Sequence, residues 1–344
     1  MLTFEATTAN QLWEGLACRL LDTGALPQQS DRGPTRELLH VTFTLTQPRQ
    51  RWVSIRRPPI NVAFALAEVL WMLSGRRDAA FLSPWNSQLA DFIGGEPIHH
   101  GAYGHRLRRH LGFDQLERAS EVLARNSDTR QVVLQIWDSR IDLPNIDGTP
   151  ASQDIPCNVV SMPKLRGGRL EWMQIMRSND LVRGLPYNLA QFTFLQEVMA
   201  GWLGVDVGTY NHVSDSLHLY ERDHAYVELI ERSSGTHVPL SYALPWAESR
   251  RAIEETTRRA EQIALGAPFE EIRAMLDDVP RPYGGILAIL GAEALRRQRS
   301  LDAAVELAGA CEDASIREMW TLWFSSRPTT SRETAAEPRA RSQH

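Results

Sequence analysis

Two long apolar segments restrict the folds open to this chain. Residues 60–78, INVAFALAEVLWMLSGRRD, have helical spacing, are apolar nearly all round and close on Gly75. Residues 186–204, PYNLAQFTFLQEVMAGWLG, form a second apolar helical pattern that ends at a glycine. A helix without a polar face has to be covered by protein, so the first segment is predicted to lie in the interior. The chain therefore needs a core large enough to enclose it.

Other segments alternate in the manner of strands. After a helical pattern at residues 9–24, residues 37–48, ELLHVTFTLTQP, predict a strand by their alternation. Residues 130–138, RQVVLQIWD, have the β-branched content of a buried strand, and residues 168–180, GRLEWMQIMRSND, predict a further one. Helical and strand segments together predict an α+β fold.

Composition narrows the functional class. The 344-residue chain is 43% hydrophobic and 23% charged, which is typical of a soluble globular enzyme. Its N-terminal residues lack the apolar stretch of a secretion signal, and no apolar run approaches the roughly 18 residues that span a membrane, so we expect a cytoplasmic protein. A formal net charge of -5 gives no general attraction to nucleic acid. The three cysteines are scattered, so neither a disulfide framework nor a structural metal site is expected.

One cysteine, Cys157, lies in QDIPCNVVSM, a segment that otherwise has the pattern of a buried strand. A thiol in such a segment can be a small buried hydrophobic group. That is how we interpret Cys18 and Cys311, each placed in an amphipathic helix by its neighbours. A polar cluster further along the chain changes the interpretation of Cys157.

The segment MRSNDLVRGLPYN places Arg177, Ser178 and Asp180 after an apolar strand, and Asn188 at the start of a helix. Burying these groups together is costly unless they bind something polar. An arginine near a thiol also lowers the pKa of the thiol and favours the thiolate, so we expect Cys157 to be a nucleophile. A cysteine hydrolase would need a histidine that activates the thiol, and no such pattern is visible in the sequence.

Three motifs, DIPCN, RSNDLVRGLPYNLAQF and HLYERD, carry a resemblance to a known family. They are similar to the Pro-Cys, Arg-Ser-x-Asp-x-x-x-Gly-x-Pro-(Phe/Tyr)-Asn and His-x-Tyr patterns of the thymidylate synthase family, which includes pyrimidine nucleotide hydroxymethylases. Upstream, DRGPTREL, AEVLWMLSG, GAYGHRLR and SDTRQVVLQIWD resemble further motifs of that family. The resemblance implies a thymidylate synthase-like fold, with a large mixed β-sheet packed by helices and a sheet-to-sheet homodimer.

A domain organisation follows from the same resemblance. Residues 1–285 would form the catalytic domain and residues 286–325 a C-terminal helical extension. Residues 326–344 are polar and predicted to be disordered. Family members end in a short apolar segment that closes over folate, and nothing like it is visible in this sequence.

Chemical roles for individual residues are also implied by the resemblance. Cys157 would add to C6 of a pyrimidine, so that C5 can attack the one-carbon unit of the cosubstrate 5,10-methylenetetrahydrofolate, without a metal. The resemblance assigns proton transfer to Glu68 and Tyr103. It assigns the nucleotide phosphate to Arg32, Arg177, Ser178 and, from a neighbouring subunit, Arg130. The sugar is assigned to His218 and Tyr220, the base to Asn188, and folate to Asp180 and Trp85.

Two of these assignments have structural alternatives. Glu68 could be a solvated side position, but its neighbours FALA and VLWML leave the helix no polar face, which favours a functional buried carboxylate. Asn188 could be only a helix cap beside Pro186. Trp71 we interpret as core.

Departures from the family pattern bear on the product. Gln131 stands where a second arginine is usual, Met176 where a glutamine is usual, and Ser216 where an aspartate is usual. Hydride transfer from folate requires that water be excluded from the site. A site with an altered C-terminal closure and altered folate-binding residues would admit water. We therefore expect 5-hydroxymethylation of dUMP, dCMP or CMP. The alternatives are thymidylate synthesis from dUMP and a non-catalytic nucleotide- or RNA-binding relative.

The base is partly legible from the sequence. The asparagine amide of residue 188 can pair with the N3–H and O4 of uracil, whereas the cytosine-specific hydroxymethylases of the family carry an aspartate there. The sequence therefore favours a uridylate, although an amide that turned over could pair with cytosine instead. The sequence does not distinguish ribose from deoxyribose.

Overall fold

A mixed 8-stranded sheet forms the framework of the described part of the chain. The computed structural model describes residues 2–22, 24–30, 32–89, 95–228 and 237–327. The strands are β1 (Leu2–Ala6), β2 (Leu26–Ser30), β3 (Gly33–Leu45), β4 (Leu134–Gln135), β5 (Asn158–Arg166), β6 (Arg169–Met176), β7 (Asn179–Asp180) and β8 (Asp206–Tyr220). Their order is β1-β3-β8-β6-β5-β4, with β2 beside β3 and β7 beside β8. The pairs β1–β3, β6–β8 and β7–β8 are parallel, and the other pairs are antiparallel.

Helices join this sheet to the rest of the core. Those of the described residues are α1 (Ala9–Leu21), α2 (Val62–Leu73), α3 (Ala79–Leu82), α4 (Tyr103–Arg108), α5 (Gln115–Arg125), α6 (Ser139–Asp142), α7 (Leu185–Leu203), α8 (Ala225–Glu228), α9 (Trp246–Ala264), α10 (Phe269–Met275), α11 (Arg281–Arg297), α12 (Leu301–Gly309) and α13 (Ala314–Ser325). Helix α7 packs against β6 and β8 and also against α2, so it links the sheet to the helical part of the core.

The two apolar segments are the helices α2 and α7. Every residue of α2 except Glu68 is buried, which confirms the prediction of an interior helix. Helix α7 has Pro186 in its first turn, where the missing N–H costs nothing, and ends at Gly204 with a φ of 64°. Among the helices of the described residues, none combines the length and the apolar character that crossing a bilayer requires.

The segment predicted as a strand at residues 130–138 contains only two strand residues, Leu134 and Gln135. Beyond them the N–H groups of Ile136 and Trp137 both donate to the carbonyl of Val159 at 3.0 Å. The β5–β6 register also shifts between Asn158 and Val160. Two residues opposite one is the geometry of a β-bulge, which ends regular pairing and re-aims nearby side chains. This irregularity lies directly after Cys157.

The other two cysteines differ in their surroundings. The prediction of a buried Cys18 is wrong: the residue is exposed, because α1 turns Leu12, Leu16 and Leu20 towards the core and Cys18 away from it. Cys311 is buried as predicted, but it lies in the turn between α12 and α13 and not in a helix.

Helix α11 connects the C-terminal helices to the core. Both α11 and α13 pack against α2. Glu293 of α11 is fully buried and accepts hydrogen bonds from Arg296, Arg297 and the Trp323 indole of α13, the last at 3.2 Å. Ion pairing with the two arginines lowers the pKa of Glu293 against the opposing effect of burial, so the carboxylate is held ionised.

The predicted domain boundary at residue 285 falls inside α11. The three-part division of the chain stays a prediction, and residues 328–344 of the predicted tail lie outside the described residues.

Candidate active site

The ends of neighbouring strands bring the predicted polar residues together. Cys157 directly precedes β5 and Arg177 directly follows β6, and the N–H of Arg177 donates to the Cys157 carbonyl at 2.9 Å. In the adjacent strands, Asp180 of β7 is paired in register with His218 of β8. Because these four positions lie at or near the ends of neighbouring strands, one edge of the sheet collects a thiol, a guanidinium, a carboxylate and an imidazole.

The Cys157 thiol is half-buried in a mixed electrostatic environment. Burial raises its pKa, and this effect outweighs the positive charges of Arg177 and Arg32, which lower it. The arginines thus lower the pKa of the thiol as expected, but burial makes the net shift upward, and the role of Cys157 as nucleophile stays a prediction. The two arginines do act on the thiol, so the cationic partners predicted for it are near it.

Arg177 is held by the chain just before the thiol. Its Nε donates to the Pro156 carbonyl at 3.0 Å and its Nη2 to the Ile155 carbonyl at 3.3 Å. Its guanidinium carbon lies 5.4 Å from the centre of the Trp137 ring. These contacts fix the guanidinium group beside Cys157, and Ser178 follows it as a half-buried residue.

The two remaining phosphate candidates differ in position. Arg32 is exposed just before β3, and its carbonyl accepts a hydrogen bond from Arg222 at 2.9 Å, next to the end of β8. Arg130 is exposed in the loop that leads to β4 and is not among the charges that act on the Cys157 thiol within the described residues. The single chain therefore assembles Arg32 and Arg177 but leaves Arg130 apart.

Glu68 is the polar exception of helix α2. Its carboxyl is hydrogen-bonded to Gln191 of α7, and burial raises its pKa to about 8. Its Oε2 and the Gln191 Oε1 are both buried without a hydrogen-bond partner among the described residues. A buried carboxyl that is protonated near neutral pH can hold and release a proton, which is what acid–base chemistry requires. Glu68 is thus half-buried as a residue with an enclosed carboxyl oxygen, and its functional role stays a prediction.

Tyr103 begins helix α4 beside the thiol. Its hydroxyl is hydrogen-bonded to the Asn158 side chain and the Cys157 backbone, and burial raises its pKa, so the phenol is neutral. The next residue, Gly104, permits this placement: a Cβ there would lie 2.2 Å from the Met72 carbonyl of α2. Because glycine has no side chain, α4 and α2 can approach closely at this point.

Asn188 lies in the first turns of α7, facing β5. Its Nδ2 donates to the Gly184 carbonyl at 3.0 Å, and its Oδ1 accepts from Asn158 Nδ2 at 3.1 Å. A helix cap would accept from backbone N–H groups, and the capping position is Gly184. The alternative of a mere cap is therefore wrong, since the amide binds a carbonyl and a second side chain.

Asp180, His218 and Tyr220 line the neighbouring wall. Asp180 Oδ1 accepts from the N–H groups of Val182 at 2.8 Å and Arg183 at 2.9 Å, while burial raises the pKa of its carboxyl. Burial lowers the pKa of His218, although Asp180 opposes this effect, so the imidazole is neutral. The rings of His218 and Tyr220 meet edge to face at 5.3 Å.

Trp85, the predicted folate platform, is only 1% exposed. Its Nε1 is buried without a partner among the described residues, and its carbonyl accepts from Asn61 at 2.8 Å and from Arg297 of α11. Both ring faces are covered by protein, so stacking on a ligand would require the surrounding chain to move. The folate role of Trp85 stays a prediction.

Several site residues were missed in the sequence. Gln191 follows Asn188 by one helical turn on the same helix, a spacing that could have indicated it. Asn158 adjoins Cys157, but an asparagine inside a strand pattern gives no signal of its own. Arg56, in RWVSIRRPPI, is 8% exposed, with a buried Nε that has no partner among the described residues. Burial lowers its pKa, and its charge acts on Tyr187 and Asp180.

Comparison with known proteins agrees with this geometry. The family model described as thymidylate synthase matches residues 15–272, three quarters of the chain and more than the motifs alone covered. The chain belongs to the thymidylate synthase family. The matched range includes Cys157, Arg177 and Ser178. The described residues contain no group of three or more His, Cys, Asp or Glu placed to hold a metal ion.

Several relatives in this family have curated names. The chain is 34% identical over 236 residues to the deoxyuridylate hydroxymethyltransferase of Bacillus phage SP01, covering 65% of this chain and 60% of that protein. It is 34% identical over 183 residues to the enzyme of the same name from Pseudomonas phage M6, covering 53% and 51%. The thymidylate synthase of Clostridium beijerinckii is 27% identical over 135 residues, covering 39% and 49%. The chain therefore spans about half to three fifths of the length of these relatives.

Proposed function

We propose that this protein transfers a one-carbon unit from 5,10-methylenetetrahydrofolate to C5 of a pyrimidine nucleoside monophosphate. The observation that carries the proposal is the surroundings of Cys157. The positive charges of Arg177 and Arg32 act on its thiol, and the next residue, Asn158, is hydrogen-bonded to Asn188. Guanidinium groups bind phosphate by charge-assisted hydrogen bonds, and an amide can pair with the edge of a base. A nucleotide held at both ends would lie with its ring over the thiol.

In the first step the Cys157 sulfur forms a bond to C6, and the electrons of the C5–C6 double bond move towards O4. One of the two carbon–nitrogen bonds of the folate methylene breaks, with a proton going to the released nitrogen, and C5 forms the new bond to that carbon; the second carbon–nitrogen bond breaks when tetrahydrofolate leaves. Because Glu68 is protonated near neutral pH, it can supply a proton towards O4 through water. Tyr103 is neutral beside Cys157, so its hydroxyl can hold by a hydrogen bond the water that takes up the C5 proton, but does not take up that proton itself.

Loss of the C5 proton and departure of tetrahydrofolate leave an exocyclic methylene on the ring. We favour addition of water to this methylene, with release of the Cys157 sulfur and formation of a 5-hydroxymethyl group. Three relatives, from the phages SP01, M6 and PhiW-14, are named deoxyuridylate hydroxymethyltransferase, which supports this branch and a uridylate substrate. Thymidylate synthesis, in which folate supplies hydride, is the second candidate, supported by the Clostridium beijerinckii relative.

Product analysis in ¹⁸O-labelled water tests the proposal. The hydroxymethylase reaction adds one solvent oxygen to the pyrimidine and regenerates tetrahydrofolate, with no dihydrofolate. A methylated product without label, and one dihydrofolate per turnover, would identify a thymidylate synthase. Absence of any C5 proton release, with either uridylate or cytidylate, would reject one-carbon transfer altogether.

A sheet-to-sheet homodimer with shared active sites is part of the proposal. Val160, Ile175 and Val213 are cross-strand neighbours in register, and all three are only half-buried. Just before the edge strand β4, Val133 is 54% exposed. A second copy packed on this face would cover apolar surface and could bring its Arg130 to the phosphate end of the site. Sedimentation velocity tests the dimer directly.

A further inference from the structure

A buried row of hydrogen-bonded side chains leads from the sheet to the base-reading asparagine. We call Trp172, Gln174, Asn158 and Asn188 the amide chain. None of the four is more than 7% exposed. The Trp172 indole N–H donates to Gln174 Oε1 at 3.1 Å, Gln174 Nε2 donates to Asn158 Oδ1 at 2.8 Å, and Asn158 Nδ2 donates to Asn188 Oδ1 at 3.1 Å.

The direction of this chain is set at its first member. An indole N–H can only donate, so the Gln174 atom that faces Trp172 has to be the oxygen. The amide nitrogen of Gln174 then faces Asn158, and the nitrogen of Asn158 faces Asn188. At the far end Asn188 Nδ2 meets the Gly184 carbonyl at 3.0 Å, and a carbonyl can only accept. Both ends of the amide chain therefore demand the same orientation.

We propose that the amide chain fixes the orientation of the Asn188 amide and thereby selects uracil over cytosine; this inference rests on the proposed function. Uracil offers an N3–H donor and an O4 acceptor, whereas cytosine offers an N3 acceptor and an N4 donor. To pair with cytosine, the amide would have to turn over. Its nitrogen would then face Asn158 Nδ2 and its oxygen the Gly184 carbonyl, which creates two mismatched buried contacts.

Trp172, Gln174 and Asn158 are thus positioning residues that act on the base through Asn188. The Ser161 hydroxyl also donates to Gln174 Oε1, at 2.6 Å, but a hydroxyl can accept as readily as it donates. If the indole N–H is removed, Ser161 can accept from a reversed Gln174, and the mismatch between Asn158 and a turned Asn188 is relieved, while the one at the Gly184 carbonyl remains. Trp172 therefore fixes the direction from the sheet end of the chain, and Ser161 does not.

This difference supplies a matched pair of variants, Trp172→Phe and Ser161→Ala. Calorimetry would measure the dissociation constants of dUMP and dCMP for each. Trp172→Phe should tighten dCMP binding and reduce the preference for dUMP by about tenfold or more, with dUMP binding nearly unchanged, because a mismatched buried hydrogen bond has about that effect. Ser161→Ala should keep the preference of the natural protein. Gln174→Met, which cuts the chain at its second member, serves as an independent test if Trp172→Phe does not fold.

The possible failures are distinguishable. If the natural protein binds and converts dUMP but the preference is the same in Trp172→Phe and Gln174→Met, the inference is overturned and the proposed function stands. Equal binding of dUMP and dCMP by the natural protein also overturns the inference. If the natural protein binds neither nucleotide, the proposed function fails and the inference with it.

Discussion

Replacing Glu68 with glutamine should stabilise the protein at neutral and alkaline pH while leaving its stability in acid nearly unchanged. Glutamine has the shape of a protonated glutamic acid but carries no titratable proton. In the folded protein the Glu68 carboxyl has a pKa of about 8, and its ordinary value is 4.5. Between these two pH values the unfolded chain has released a proton that the folded chain still holds. Stability therefore falls as the pH rises through this window.

The magnitude follows from the two pKa values. One pH unit of difference corresponds to about 1.4 kcal/mol, so the natural protein should lose on the order of 3 kcal/mol by pH 7 and about 5 kcal/mol above pH 8. Below pH 4.5 the carboxyl is protonated in both states, and the loss vanishes. The variant has no such dependence, so the difference between the two proteins should grow across this window and then level off.

Urea unfolding followed by tryptophan fluorescence at pH 5, 6, 7 and 8 would measure this difference, at equal protein concentrations because association affects stability. Glu293→Gln is the matched control. Its carboxylate is also buried, but Arg296 and Arg297 hold it ionised, so its removal should destabilise the protein at neutral pH. If the natural protein and Glu68→Gln gave parallel profiles, Glu68 would be ionised in the folded state, and its assignment as a proton donor would be refuted.

Four further predictions concern the site. Cys157→Ser should abolish nearly all turnover and retain nucleotide binding by calorimetry, since the arginines remain; retained turnover would remove the nucleophile. Mixed dimers of Arg130→Ala and Cys157→Ala subunits should recover partial activity, and inactivity despite demonstrated subunit exchange would argue against shared sites. Asn188→Asp should shift the binding preference towards cytidylate by about 1–3 kcal/mol, and an unchanged ratio would exclude base reading. Gly104→Ala should lower the free energy of unfolding by about 1–3 kcal/mol through overpacking, whereas Gly309→Ala, with open space around its Cβ, should not; equal effects would contradict the close approach of α2 and α4.

The sequence predicted the helices α2 and α7 because an apolar pattern over several turns has one physical solution, which is burial. It predicted β4 poorly, since the β-bulge opposite Val159 depends on pairing with β5 and leaves no local signal. Cys18 was misplaced for a related reason: in α1 the neighbouring leucines, and not the cysteine, decide which face is inside.

The sequence predicted the candidate site wherever reactive residues fell within a motif, as with Cys157, Arg177 and Asp180. It could not predict the protonation states of these residues. Burial works against the two arginines at the thiol, and whether it prevails depends on the three-dimensional distribution of charge. The amide chain was equally hidden, because Trp172 and Gln174 belong to the apolar pattern of β6 and meet Asn158 only across the sheet.

The burial of Glu293 limits how this protein can be recombined with its relatives. The carboxylate accepts a hydrogen bond from the Trp323 indole. Arg297, which also donates to this carboxylate, donates to the carbonyls of Pro84 and Trp85, and Trp85 is a predicted folate contact. A chimera cut at residue 285 would divide α11 and leave the outer side of α2 facing helices that evolved against another surface. Because the C-terminal helices and the segment around Trp85 are joined by these contacts, an exchange of either should include both.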